Sequence, residues 1–390
     1  MNHQRVCFLL GSGASVPAGF PTVAEITEKI AAGCGQEGGL RTFPDPLPDG
    51  GRSLLRWLEI QIKRRYVSEG DRAVHYENLY FLAKQLSDDL LDEYDNPAIR
   101  PFIEGAVEQV LPQLPSLPGN AYNELQKLAE DVTKRIRRTV VLLLSSHKPT
   151  RLDHLHFIVE AVQETGHPKP AILILNHDTL LETVLGSKDL DFVDGFAKEP
   201  NPVGVREWQP GQLVHQTDAI RVLKLHGGID WYRLRPHGVQ THLEDYFGIP
   251  TSKCSTAVVD SQGRAHDLMD DSMPIFMIGS WDKLARYTDS VYLEIYYAAF
   301  EALRTSELLV VVGYGFGDKG INKLVTDWMC RSLKHRLLVV DRSALSLHQR
   351  ARGAIAGKWQ AWLDEHRLFP LKANLEESKM PWWYIKESLS

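Results

Sequence analysis

Four short stretches bring glycine, histidine, asparagine and aspartate into settings where they can do chemistry: GSGAS at 11–15, NHD at 176–178, HGG at 226–228 and GYGFGD at 313–318. Glycine at 11 and 13 opens the backbone to close approach by a phosphate. A helix starting beyond them would aim its N-terminal amides and positive dipole end at the same anion. A Gly-x-Gly after a strand is also a plain structural turn, so the motif alone leaves both roles open. The dehydrogenase spacing Gly-x-Gly-x-x-Gly fails at Val16, and the next glycine is Gly19, followed by Pro21. Gly313, Gly315 and Gly317 offer a second approach for a nucleotide, or else close helix packing, and the two clusters together suggest a dinucleotide.

His226 stands between Leu225 and the Gly227–Gly228 pair. A neutral imidazole there can take a proton from a ribose hydroxyl or a water near neutral pH, and a satisfied core histidine is the plain alternative. Asn176 and Asp178 are either turn and cap residues or a polar pair that holds a water or a ribose against a scissile bond. Glu182, one helical turn after Asp178, braces that turn or lies on a solvated face. Asp341 closes an apolar run, where it accepts from ribose hydroxyls or caps the next helix. No His or carboxylate cluster has metal-ligand spacing, and GSGAS lacks the spacing of a nucleophile elbow. None of Cys7, Cys34, Cys254 and Cys330 has a clear cationic setting. Metal ligation and a Ser or Cys nucleophile are therefore disfavoured.

The elements that must position these residues are apolar runs of strand length. VCFLL at 6–10, AILIL at 171–175, RVLKL at 221–225 and LLVVVG at 308–313 each lead into one motif, and RLLVVD at 336–341 adds another run. Their separation by helical stretches predicts an α/β chain with a Rossmann-like, doubly wound, mainly parallel sheet that binds ligands at its carboxyl edge. TVAEITEKIAAG at 22–33 predicts a helix with Val23, Ile26 and Ile30 at helical spacing, Thr22 as N-cap with Glu25 three residues on, and Gly33 as C-cap. Its N-terminus is expected just past the glycines. The Gly- and Pro-rich stretch 38–51 reads as a loop, and 52–166 as helical, broken at Pro97, at Pro101 and around PQLPSLPGN. The expected organisation is one domain: a core of 1–37 and 167–345, a helical insertion at 38–166, and a C-terminal helix and tail at 346–390. The Trp-rich MPWWYIKESLS reads as a packing or assembly segment.

The 390 residues are 43% hydrophobic and 24% charged, which is enough to bury a large core. With 50 acidic and 44 basic residues and a net charge of −6, nothing global suggests a nucleic-acid or anionic-membrane binder. Four scattered cysteines without a C-x-x-C pair fit neither a zinc ribbon nor a disulfide framework. VCFLL is too short for a signal-peptide core, and no apolar stretch approaches the roughly 18 residues of a membrane span. The expected location is cytoplasmic.

Taken in order, GSGAS with GFP, NHD, LHGG and GYGFGD resemble the sirtuin superfamily, whose pattern is Gly-Ala-Gly-x-Ser with Gly-x-Pro, Asn-x-Asp, a catalytic His-Gly and a late Gly-x-Gly. The matches bracket about residues 6–345. The resemblance implies that Gly11, Gly13, Ala14 and Ser15 line the pyrophosphate of NAD⁺, with Ser12, Pro21 and Gly227 in the same cofactor-binding set. It places Asn176, Asp178 and His226 around the nicotinamide ribose, with His226 as base, and Gly313, Gly315 and Asp341 at the adenosine half. Ser12 and His177 depart from the usual residues. Deacylating sirtuins carry two C-x-x-C pairs between the catalytic His and the late glycines, where this chain has only Cys254. Without that zinc module the chain looks more like the sirtuin-like NAD-degrading proteins of prokaryotic anti-phage defence.

The resemblance implies an NAD⁺ glycohydrolase that uses NAD⁺ as substrate, without a metal, and releases nicotinamide and ADP-ribose. It implies gating by assembly as a homo-oligomer or by a partner such as a HerA-type ATPase or an Argonaute. An NAD-dependent deacylase or ADP-ribosyltransferase, and a non-catalytic NAD⁺ or ADP-ribose sensor, are the alternatives.

Overall fold

A computed structural model of the chain describes residues 5–32, 49–66, 74–90, 97–113, 120–164, 169–238, 244–251, 257–268, 273–278, 287, 290–376 and 380–389. Gly33, most of the expected loop at 38–51, Cys34 and Cys254 lie outside them. The described strands are β1 (Val6–Leu10), β2 (Ala171–Ile174), β3 (Phe192–Val193), β4 (Arg206–Glu207), β5 (Ile220–Lys224), β6 (Trp231–Pro236), β7 (Asp245–Gly248), β8 (Ala257–Val259), β9 (Ala265–Leu268), β10 (Leu308–Val312), β11 (Arg336–Asp341) and β12 (Leu368–Lys372). The helices are α1 (Val23–Ala31), α2 (Asp49–Tyr66), α3 (Tyr76–Leu90), α4 (Arg100–Gln109), α5 (Ala121–Ser146), α6 (His156–Glu164), α7 (Leu180–Gly186), α8 (Gln212–His215), α9 (Ser290–Thr305), α10 (Lys319–Arg331), α11 (Trp359–Asp364) and α12 (Trp382–Glu387).

All five apolar runs are strands of one seven-stranded sheet, ordered β12-β11-β10-β1-β2-β5-β3 and parallel throughout. Leu9 pairs with Val311 on one side and Leu173 on the other, and β1, β2, β5 and β10 are buried along their whole length. Helices on both faces exclude water from such strands, which is why they read as continuous rather than alternating apolar runs. From β1 the chain adds β2, then β3 at the edge and β5 between them on one side, and returns to add β10, β11 and β12 on the other. The order therefore reverses between β1 and β10, the kind of switch point where doubly wound sheets bind ligands.

A second sheet, antiparallel with order β4-β7-β6-β9-β8, has its own small core of Val205, Leu234, Phe247, Ile249 and Val258. The sequence reading did not include it.

The chain divides into two compact units: residues 1–20, 147–277 and 283–390, and residues 21–146 with 278–282. The first holds both sheets; the second is the helical unit. The helical part expected from the sequence spans 38–166; in the structure α1 groups with α2–α5, whereas α6 belongs to the sheet unit. Within the helical unit, α3 and α5 form the main packed pair. There Thr22 caps α1 as expected, its hydroxyl accepting from Glu25 N while Glu25 accepts from Thr22 N. The last described turn of α1 closes at Ala32, and the expected cap at Gly33 lies outside the described residues.

Candidate active site

After β1 the chain does not enter a helix at once. Two short 3-10 turns, Ser12–Ala14 and Val16–Ala18, come first, and α1 starts at Val23, directly after the Thr22 cap expected from the sequence. Pro21 is the first residue of the helical unit.

The Gly11–Ser15 turn is pressed against the end of β10. A Cβ on Gly11 would lie 2.6 Å from the Gly313 carbonyl, and one on Gly313 would lie 2.3 Å from Ala14 N, with Gly313 itself at φ +60°. The amides of this turn are donated inside the protein: Gly11 N to Val312 O, Gly13 N to Gly313 O, Ala14 N to Gly11 O and Ser15 N to Ser12 O. The packing role of Gly11, Gly13 and Gly313 is thus plain in the structure. Gly315 differs, because a Cβ there would meet nothing within 4 Å. Phe316 beside it takes φ +53°, a left-handed conformation costly for a residue with a Cβ, while its ring is fully buried against Trp359.

The turn after β1 and the turn after β2 are joined by side chains. Asn176 Nδ2 donates to Ser15 Oγ at 2.8 Å and to the Gly11 carbonyl at 3.0 Å. Ser15 Oγ in turn donates to Asp178 Oδ2 at 2.8 Å, and Asp178 Oδ1 accepts from Leu180 N at the start of α7. Ser15 and Asp178 are buried and Asn176 is half-buried. A small cavity lies against Ala14, Ser15, Asn176, Asp178 and Glu182. A second, roomier cavity, about 310 Å³ and lined by Glu207, Trp208, Glu244, Tyr246, Asp260 and Glu294, shares no residue with the motifs.

Beneath this network lies Lys224, the last residue of β5, with 1% of its surface exposed. Its ammonium donates to the Asp178 carbonyl at 2.7 Å and to Glu182 Oε1 at 2.8 Å, with Asp230 at 3.8 Å. Burial opposes the charge, yet the Glu182 and Asp230 carboxylates outweigh it and hold the lysine above its ordinary range. Glu182 therefore faces a buried cation rather than solvent. Lys224 was missed in the sequence because it looks like a break in the apolar run; a lone lysine two residues before His226 was the signal.

His226 is 3% exposed. Its Nδ1 lies 3.1 Å from the Leu175 carbonyl, which can only accept, so the proton of the neutral ring belongs on Nδ1. Nε2 then accepts from the Tyr287 hydroxyl at 3.0 Å, and Asp318 Oδ2 stands 3.3 Å away. Burial, reinforced by Asp318, pushes the Tyr287 phenol well above its ordinary range and keeps it a neutral donor. His177 packs on Phe276, with its ring centre 6.3 Å from that of His226. Gly227, at φ +73°, makes room for the Ile275 carbonyl and the Tyr292 hydroxyl.

Two further histidines hold the first turn: His154 Nε2 bonds to Ala14 O and His147 Nε2 to Ala18 O, both at 2.9 Å. Burial lowers the His154 pKa. Asp341 Oδ1 accepts from Ser343 N at 2.7 Å, a local turn contact at the end of β11. Among the described residues no group of three His, Cys, Asp or Glu is placed to hold a metal ion, and no helix is long and apolar enough to cross a membrane.

Fold and site define an α/β chain with a parallel, doubly wound sheet and a polar constellation at its carboxyl edge. No protein-family model matches it, and no curated protein matches it. Among solved structures it is similar to a Sir2 homologue in complex with NAD, at 10% identity over 99% of this chain and 91% of that one, with a TM-score of 0.40. It is also similar to a mutant Sir2 homologue in complex with ADP-ribose, at 10% identity over 98% and 91% of the chains and a TM-score of 0.37. A mutant Sir2 with a deacetylated p53 peptide and 3′-O-acetyl ADP-ribose matches at 12% identity over 96% and 89%, with a TM-score of 0.35. Likenesses this distant carry no argument about the site, which stands on the contacts given above.

Proposed function

We propose that this chain is a sirtuin-like NAD⁺ glycohydrolase, acting as an anti-phage effector that depletes NAD⁺ once assembly or a partner releases it. The observation that carries this reading is the Asn176–Ser15–Asp178 network. It locks two polar turns together at the carboxyl ends of adjacent strands, one step from His226 and beside the switch point of the sheet. Such a site suits an extended dinucleotide, with the nicotinamide ribose toward Asn176 and His226 and the adenosine half toward Gly315 and Asp341.

The bond between ribose C1′ and the nicotinamide nitrogen breaks, and nicotinamide leaves with the bonding pair. Positive charge develops on the ribose. Asp178 orients the site and favours that charge, and Asn176 holds the ribose or the attacking water. Water then attacks C1′ and gives its proton to His226 Nε2, so NAD⁺ and water become ADP-ribose, nicotinamide and a proton.

The test is incubation of wild type and His226→Ala with NAD⁺, alone and with the product of any neighbouring gene, followed by chromatography of nicotinamide and ADP-ribose. Release by wild type and not by the variant supports the assignment. Release by both removes His226 from the chemistry. Binding of NAD⁺ without release in any assembly state favours the sensor reading, to which the Tyr287 hydroxyl over Nε2 lends weight.

A further inference from the structure

In the sequence Asp318 simply follows a glycine cluster, and its obvious duty in the structure is as a helix cap. Its Oδ1 accepts from Gly320 N and Ile321 N, capping α10. The other oxygen, Oδ2, faces His226 Nε2 at 3.3 Å, and both side chains are more than nine-tenths buried. The residue is held from behind as well: the Tyr314 hydroxyl donates to Asn322 Oδ1 at 2.9 Å and accepts from Asp318 N at 3.1 Å. Asn322 Nδ2 donates to the Phe316 and Arg352 carbonyls. The carboxylate therefore has little freedom to turn away from the ring.

From these contacts we infer that Asp318 is a positioning residue that sets the proton affinity of His226 and receives the imidazolium formed when Nε2 takes a proton. The inference rests on the hydrolase reading for its catalytic meaning. In the neutral ring Nδ1–H is bonded to Leu175 O, and Nε2 offers a lone pair toward a carboxylate. Once Nε2 is protonated, the ring has an acceptor on each side, Leu175 O and Asp318 Oδ2. The neutral ring is met by Leu175 O and the Tyr287 hydroxyl, the charged ring by Leu175 O and Asp318 Oδ2, and a charge-assisted bond across 3.3 Å is the contribution Asp318 makes when the ring takes its proton. The other titratable groups facing the ring among the described residues are Tyr287 at Nε2, His177 across a 6.3 Å ring separation and Tyr292 beside Gly227. On the strand that leads to the ring, Lys224 is committed to Glu182. Asp318 is the one carboxylate within ion-pair distance of the ring in this set.

Asp318→Asn separates the two duties, because an asparagine oxygen caps a helix about as well as aspartate while the charge is lost. The probe is the ring titration of His226, followed by NMR of ¹³Cε1-histidine-labelled protein and assigned by its disappearance in His226→Gln. Nicotinamide release is measured over the same pH range. Removal of the carboxylate is expected to lower the His226 midpoint by about 1–3 units. The acid limb of kcat/KM moves down with it, and kcat on the plateau falls about 10-fold or more with KM nearly unchanged. Asp318→Ser, which also caps, should give the same shift. Equal midpoints in wild type and both variants would overturn the inference and leave Asp318 a helix cap alone. A lowered midpoint in a protein whose wild type releases no nicotinamide keeps the pair and sinks the hydrolase reading instead.

Discussion

Ser15 Oγ donates to Asp178 Oδ2 at 2.8 Å although 163 positions separate the two residues, and the same hydroxyl accepts from Asn176. Removing it leaves Asp178 Oδ2 without its donor in a buried setting, while Asn176 keeps only the Gly11 carbonyl. Ser15→Ala should lower unfolding stability by about 1–3 kcal/mol, as for other buried groups left without a partner. Nicotinamide release should fall by up to about 10²-fold through misplacement of Asn176. Denaturant titration beside turnover checks both; full activity in Ser15→Ala would remove the network from the mechanism.

Gly313 and Gly315 should part company. Alanine at 313 drives a Cβ to 2.3 Å from Ala14 N at φ +60°, so backbone must shift and the melting temperature should drop by several degrees or more. Alanine at 315 meets open space, so the fold should tolerate it while NAD⁺ binding weakens. Calorimetric melting and binding titration of the two variants decide this, and a stable Gly313→Ala would contradict the packing account.

Lys224→Met leaves the Glu182 and Asp230 carboxylates without their buried cation. Breaking a buried pair in this way costs about 3–5 kcal/mol. Adding Glu182→Gln to it should recover part of the loss, because the offending charge is then gone. Non-additivity in this double-mutant cycle is the readout, and additive losses would argue against the coupling.

The buried His154 gives a pH dependence of defined sign. Burial lowers its folded pKa below the ordinary histidine value of about 6.5, so the folded state binds protons less readily than the unfolded state. The stability contribution is full above about 6.5 and is lost as pH falls toward the folded value. Protonation would place a hydrogen on Nδ1, which has no hydrogen-bond partner among the described residues. His154→Gln, whose amide can still donate to Ala14 O, should flatten stability between pH 5 and 7 on the scale of an ordinary histidine titration. An unchanged slope would show that other groups carry it.

Much of this arrangement was legible in the sequence because parallel, twice-covered strands leave a plain trace. VCFLL, AILIL and LLVVVG could hardly be anything but interior, and their ends marked where polar residues would collect. β12 was missed because LFPLK carries Pro370, which an edge strand tolerates, and because only Leu368 in it is buried. The antiparallel sheet was missed because segments such as Arg206–Glu207 and Asp245–Gly248 are short and largely charged or half-exposed. Lys224 and Asp318 were passed over for a related reason. Each has a partner more than 40 positions away, and no local pattern announces a contact of that range.

The site as a whole is tested most directly by running the reaction in ¹⁸O-enriched water with NAD⁺ and the protein in its active assembly. The account predicts nicotinamide release with one solvent oxygen in the ADP-ribose formed by wild type, and loss of both products in His226→Ala and Asn176→Ala. Bound NAD⁺ that stays intact in every assembly state, or labelled ADP-ribose formed equally well by His226→Ala, would contradict it.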